Sequence, residues 1–160
     1  MNTPIVNRHL TQEPPHSPSE RFGEFVILGR TVDKCRGSMT GKLGEYHYDC
    51  PLDNQLFSFK GINGNQFKAA IASCQNYEDA ADWLQKAGTP KSPEEIKKWS
   101  DKMEALKLKD VPTLKEPDHK REVMESCQNL GLDFESTTLF EWLETDDEAS
   151  FQPKDQMAEK

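Results

Sequence analysis

The stretch Ser17-Pro-Ser-Glu-Arg-Phe-Gly-Glu-Phe-Val-Ile-Leu-Gly-Arg-Thr-Val-Asp-Lys-Cys-Arg-Gly-Ser-Met39 decides the fold class. It opens with serine, proline and glutamate at the spacing of a helix start, where cap side chains satisfy backbone N–H groups that no helical carbonyl reaches. Phe22, Phe25, Val26, Gly29, Val32 and Met39 then recur at helical spacing, which gives one apolar stripe. Arg30, Asp33, Lys34 and Gly37 fall on another face at offsets of three, four and seven. The spacing predicts a helix from Pro18 to Met39, ended by Gly41 and Gly44.

Downstream the same grammar repeats. Asp53 to Lys60 reads as a short helix closed by Gly61, and Asn63-Gly-Asn-Gln66 as a capping box for a helix with Phe67, Ala70, Ile71 and Cys74 inward. A helix from Asn76 or Tyr77 buries Ala80, Ala81, Leu84 and Ala87 before Gly88 and Pro90 stop it. Ser92-Pro-Glu-Glu95 starts a helix that buries Ile96, Trp99, Met103 and Leu106. Residues 107 to 116 form a linker, and a further helix runs from Pro117 to Leu130 with Val123 and Cys127 inward. Thr138-Leu-Phe-Glu141 opens a last short helix. No run alternates as a strand would, so the expected class is all-α: a small bundle of six or seven short helices. Residues 1–16 read as a disordered lead-in, 17–145 as one helical domain and 146–160 as an acidic disordered tail. The tetrapeptide Ser-Cys-Gln-Asn occurs at 73–76 and 126–129, with no period that would make it a repeat.

At 160 residues the chain is long enough for a real core, although only 34% of it is apolar. From Leu132 to Lys160, nine acids face two lysines, so most of the net charge of −8 lies there and the body is close to neutral. That argues against a membrane surface as partner. No apolar run approaches spanning length, and the first residues lack the pattern of a signal peptide. Cys35, Cys50, Cys74 and Cys127 show no paired or metal-ligand spacing, which suggests reduced thiols in the cytoplasm.

The densest chemistry lies in Gly44-Glu-Tyr-His-Tyr-Asp-Cys-Pro-Leu-Asp53, just after a basic segment holding Arg30, Lys34, Arg36 and Lys42. Arg30, Lys34, Arg36, Glu45, Tyr46, His47 and Asp49 are the candidate binding residues, if the basic helix and the acidic stretch fold back onto one pocket. A guanidinium and an ammonium beside tyrosines suit a phosphate or carboxylate ligand. The bland alternative is internal: Arg30 with Asp33 along the helix, and Arg36 with Glu45 or Asp49 across the turn. His47, Asp49, Cys50 and Asp53 are possible metal ligands or catalytic groups, but their spacing is unlike that of structural zinc sites. The competing reading has Asp53 capping the next helix, Cys50 packing and the tyrosine rings buried.

The segments Ser17-Pro-Ser-Glu-Arg-Phe-Gly23, Gly29-Arg-Thr-Val-Asp-Lys-Cys-Arg36 and Gly44–Asp53 resemble an uncharacterised bacterial family catalogued as domain of unknown function 5069. The likeness continues through Phe57-Ser-Phe-Lys-Gly-Ile62 and Asp82-Trp-Leu84 to Ser92-Pro-Glu-Glu-Ile-Lys-Lys-Trp99. Where such relatives carry proline before the motif arginine this chain has Gly29, which is expected to loosen the helix there. The resemblance implies a small helical cytoplasmic protein and supplies no activity, substrate or cofactor.

No cofactor is expected, since Gly61-Ile-Asn-Gly64 lacks the lysine and spacing of a phosphate loop. The lysines between Lys86 and Lys109 are interrupted by Glu94, Glu95, Asp101 and Glu104, which argues against a nucleic-acid partner. Trp83, Trp99 and Trp142 sit on apolar stripes as core residues. The leading expectation is a non-catalytic binding or adaptor module for an unidentified protein or small anionic ligand, with its site in residues 30–53. The alternative is a small enzyme or metal-dependent protein using His47, Asp49, Cys50 and Asp53.

Overall fold

The computed structural model describes residues 3–151. Among them seven α-helices follow in order: α1 Leu28–Thr40, α2 Pro51–Lys60, α3 Gly64–Ile71, α4 Tyr77–Lys86, α5 Pro93–Ala105, α6 Pro117–Leu130 and α7 Leu139–Ser150. The expected linker after α5 holds two 3-10 turns, Leu108–Asp110 and Pro112–Lys115. The described residues contain no strand, only isolated bridges, and the all-α expectation holds. The chain divides into two compact units, Met1–Ser100 and Asp101–Lys160. The sequence carries no marker for this division, because α5 runs through it with an unbroken helical pattern.

Most helix starts follow the cap chemistry. Asn63 and Gln66 exchange side chain-to-backbone hydrogen bonds at 2.9 Å in both directions, and Ser92 and Glu95 do so at 3.1 and 3.0 Å. Thr138 accepts from the Glu141 amide at 3.1 Å, and Gly61 and Gly131 close α2 and α6 in the left-handed conformation.

The first helix start is the exception. The expected helix from Pro18 begins only at Leu28. Ser17 Oγ accepts from Ser19 N at 3.2 Å, a local turn, and Glu20 reaches instead for His16 Nε2 at 3.3 Å. Phe22 and Phe25 exchange backbone hydrogen bonds around a tight turn in which Gly23 and Glu24 have φ of 58° and 70°. Phe25, Val26, Ile27 and Leu28 are successive residues with no exposed surface. Ile27 N donates to Pro18 O at 2.7 Å, and the four lead, wholly buried, into the start of α1. Ser100 fixes the turn, donating through Oγ to Glu24 O and accepting from Val26 N.

The first unit packs α1 as a central element. Phe25, Leu28, Val32, Leu56, Phe57, Phe67, Ile71, Tyr77 and Leu84 form its core. Trp83 meets Phe67 edge-on and Trp99 stacks on Phe59 at 4.6 Å, as core residues. The described part of the lead-in is not helical, but it is packed: Leu10 is 1% exposed, and Ile5 N and Leu10 N donate to Gln75 O and Lys42 O. Gly29 does not loosen α1. A β-carbon there would lie 2.7 Å from the Phe22 ring and 3.3 Å from His16 Cβ, so the absent side chain lets a stacked aromatic group sit against the helix.

The second unit is a smaller apolar cluster of Leu108, Leu114, Val123, Cys127 and Phe134, with Trp142 beside it donating to Ser126 Oγ at 3.0 Å. Its α7 continues to Ser150, so residues 146–150 are helical rather than disordered tail. The remaining tail, 152–160, lies outside the described residues.

Replacing Gly29 with alanine should force the Phe22 ring out of its stack on Tyr77 and destabilise the fold by about 1–3 kcal/mol. Urea titration of the variant checks this, and an unchanged midpoint would contradict the packing described.

Candidate functional site

The polar residues of α1 are placed by a helix that is buried almost all round. Arg30 and Lys34 are each 3% exposed, and Thr31 and Asp33 have no exposed surface. A charge in such a position needs a partner of opposite sign or a set of hydrogen bonds. Lys34 Nζ lies 2.9 Å from Asp53 Oδ1, which also accepts from Thr31 Oγ1 at 2.8 Å. The other carboxylate oxygen accepts from Asp49 N at 2.9 Å and Cys50 N at 3.4 Å. Asp53 is therefore at once the counter-ion of Lys34 and the reciprocal member of the box that starts α2, where Cys50 is the N-cap residue. The same ammonium reaches Cys50 Sγ at 3.1 Å.

These contacts hold the stretch from Leu43 to Cys50 in a fixed irregular path. Gly44 has φ of 60°, and a β-carbon on it would lie 2.8 Å from Leu10 O, so only glycine serves there. Asp49 is left-handed as well, with φ of 63°. Between them, exposure alternates: Glu45, His47 and Asp49 are exposed, while Tyr46, Tyr48 and Cys50 are half-buried. Each inward member has its own anchor. The Arg30 guanidinium lies 5.5 Å from the Tyr46 ring centre. Tyr48 donates to Gly64 O at 2.6 Å and rests its ring on Phe57 and Phe67. Cys50 meets Lys34. Asn54 Nδ2 braces the far end, donating to Asp49 O and Oδ1 at 3.1 and 3.0 Å.

The seven candidate residues thus stand as follows. Arg30 and Tyr46 come together. Lys34 turns inward to Asp53 and Cys50. Arg36 turns to Asn7 Oδ1 at 3.3 Å and to Cys74 O, on neither Glu45 nor Asp49. Asp33 pairs with groups other than Arg30, as detailed below. Glu45, His47 and Asp49 share the outer face of the loop. The two described surface depressions, of about 610 and 390 Å³, are lined by residues between Pro117 and Asp146, so none of the seven borders them. Among the described residues no group of three or more histidines, cysteines and acids is placed to hold a metal ion. Within the cluster His47, Asp49, Cys50 and Asp53, the Lys34 ammonium already stands between Cys50 and Asp53, the place a metal would need.

The chain matches, over residues 12–149, the family described as domain of unknown function (DUF5069). It belongs to that family. A comparison with curated proteins found no significant match. The DUF5069 segment contains α1 to α6, the loop from Leu43 to Cys50 and all but the last residue of α7, while Thr3–Thr11 precedes it.

Within this DUF5069 fold the sequence reading missed a second polar cluster. Asp33 Oδ2 accepts from His16 N at 2.8 Å and meets His16 Nδ1 at 2.6 Å, and Tyr77 OH donates to Oδ1. Arg8 Nε approaches the same carboxylate at 3.7 Å. Phe22 stacks on Tyr77, and His16 meets both rings at a steep angle, its centre 4.7 Å from that of Tyr77. The members of this cluster come from the lead-in, α1 and α4, and no local spacing links them. Lys60 was missed as well: it has no exposed surface and donates to Gln85 O at 3.1 Å and Thr89 O at 2.7 Å.

Burial sets the titration of these groups. It pushes the Cys35 thiol from 9.0 up to about 11, against a smaller opposite effect of the Tyr48 hydrogen bond. Burial first, then the neighbouring Cys35, raises Tyr48, and burial with Asp33 raises Tyr77. The fold therefore holds these protons more tightly than the unfolded chain, so the stability they contribute is complete below the ordinary pKa values and lost as pH rises past them. Lys60 runs the other way. Burial and Lys91 lower its pKa, so the unfolded chain keeps that proton longer and stability gains as pH rises towards 10.5. Burial raises the Cys74 and Cys127 thiols too, so five groups oppose one, and the urea midpoint should fall between about pH 9 and pH 11. Tyr77→Phe should flatten that fall. At neutral pH, Lys34→Met should cost about 3–5 kcal/mol by leaving Asp53 buried without its cation, measured by the same titration.

Proposed function

We propose that this chain is a non-catalytic binding module whose contact face is the outer side of the loop from Leu43 to Cys50. The observation that carries the reading is the alternation itself. Tyr46, Tyr48 and Cys50 are anchored inward one by one, while Glu45, His47 and Asp49 stand in solvent. Left-handed backbone at a non-glycine residue costs free energy, on the order of 1 kcal/mol, and such conformations gather at binding and catalytic positions. Here the bonds from Asp53 and Asn54 offset that cost and hold two carboxylates and an imidazole in a fixed presentation.

The charge of that face favours a basic protein segment over a small anion. Arg30 and Lys34, the cations an anion would need, are buried and engaged, whereas Glu45 and Asp49 are accessible. A carboxylate pair on a rigid loop suits arginine or lysine side chains. Four free thiols fit a reducing compartment such as the cytoplasm. The enzyme or metal reading on His47, Asp49, Cys50 and Asp53 has less support, because Asp53 is consumed by Lys34, Thr31 and two backbone amides.

The triple variant Glu45→Gln, His47→Ala, Asp49→Asn tests the reading, asparagine being chosen because it tolerates the left-handed conformation. Its folding stability should stay within about 0.5 kcal/mol of the parent. On an array of arginine- and lysine-rich peptides, the parent should bind with salt-sensitive affinity and the variant at least about tenfold more weakly, as expected when rim charges steer association. Equal binding by the folded variant, or no binding by the parent, contradicts the assignment.

A further inference from the structure

The segment Thr3–Thr11 precedes the residues matched by the family, yet it packs along the rest of the first unit. It lies there as a bound peptide would. Pro4 forms an isolated antiparallel bridge with Asn76, in which Ile5 N donates to Gln75 O at 2.9 Å and Tyr77 N donates to Thr3 O at 3.0 Å. Further along, Arg8 reaches the wholly buried carboxylate of Asp33 at 3.7 Å. Leu10 inserts its side chain beside Gly37 and Leu43, where a β-carbon on Gly37 would lie 3.5 Å from Leu10 Cδ1. Its amide donates to Lys42 O at 2.8 Å. Backbone pairing, one charged contact to a buried acid and one apolar anchor are the components of extended-peptide recognition.

Two further bonds hold it, from Thr3 N to a Glu78 carboxylate oxygen and from Arg36 to Asn7 Oδ1 at 3.3 Å, while several of its residues face solvent. Thr3, Pro4, Asn7, Thr11, Gln12 and Glu13 are exposed, and Val6 is 66% exposed. Pro14 and the buried Pro15 follow, and release of the segment gives up its contacts to α1 while His16 keeps the Asp33 carboxylate bonded.

We propose that Thr3–Thr11 is a releasable arm covering a recognition groove for an extended protein segment bearing arginine and leucine two residues apart, as Arg8 and Leu10 are here. The partner's arginine takes the place of Arg8 at Asp33, and its leucine takes the place of Leu10 over Gly37. The arm competes with that partner and keeps the groove closed at rest. The arm borders the loop at Leu43 and Gly44 but uses none of Glu45, His47 and Asp49, so failure of the basic-peptide array leaves the inference standing.

The test uses the full chain with Leu10→Ser, which frees the arm, and a fluorescent peptide of residues 3–13. The variant should bind the peptide in a 1:1 ratio, at least about tenfold more tightly than the parent, whose own arm occupies the groove most of the time. A peptide with alanine at both the arginine and leucine positions should not bind. A folded variant that ignores the peptide, or binds both peptides alike, overturns the proposal. Hydrogen exchange on the unaltered chain decides the matter if the variant does not fold. The Ile5 and Leu10 amides should exchange through a local opening far faster than the amides of α1, and exchange of both only on global unfolding would overturn the proposal. A concentration-dependent dimer of the parent that disappears in Leu10→Ser would assign the groove to a second copy's arm and overturn it likewise.

Discussion

Everything in the first unit follows from the burial of α1 on all sides. A helix in that position is ordinarily apolar all round. This one carries Arg30, Thr31, Asp33 and Lys34, each 3% exposed or less, and the surroundings must neutralise each in turn. The two buried cations and one buried anion of α1 leave an excess positive charge, which Asp53 of α2 removes through Lys34. The remaining acid, Asp33, draws in His16, Tyr77 and Arg8 from the lead-in and α4. The positions of α2, α4 and residues 3–16 are thereby tied to particular oxygens and nitrogens, where an apolar helix would have tolerated several registers. Such pairs contribute little net stability compared with apolar substitutes, but removing one member leaves a buried charge behind. In this fold their effect is to fix arrangement.

Helix boundaries were legible wherever cap chemistry is local. Asn63 with Gln66, Ser92 with Glu95 and Thr138 with Glu141 lie three residues apart and bond each other without outside help. Ser17-Pro-Ser-Glu20 carries the same letters and fails, because Glu20 finds His16 and the distant Ser100 holds the turn at Glu24 and Val26. Ser-Cys-Gln-Asn makes the same point. At 73–76 its asparagine caps α4, whereas at 126–129 it lies inside α6. Sequence neighbours decide helix ends only when no distant partner offers more.

The candidate site was half legible for the same reason. Density of polar groups marked residues 44–53 correctly as an unusual stretch, and the period-two pattern of an extended chain separates its faces. The idea of one shared pocket did not survive, since Lys34 and Arg36 are about half a turn apart on α1 and go to different partners. The alternative that pairs Asp33 with Arg30 rests only on their sharing one helix face. Its true partners, His16 and Tyr77, stand 17 and 44 residues away along the chain, and charge patterning along a helix has no access to such distances.

The loop and the core are consequently one network. Asp53 holds Asp49 N and Cys50 N with one oxygen and Lys34 with the other, so the presentation of Asp49 depends on a charge pair buried beneath it. The left-handed turn at Asp49 can persist only while those amides are held, because its intrinsic preference is against it. A mobile loop would expose the same three side chains at lower conformational cost. That this chain instead commits a buried lysine, a buried aspartate and a capped helix to keeping them still argues for a contact in which geometry, and not mere charge, is recognised.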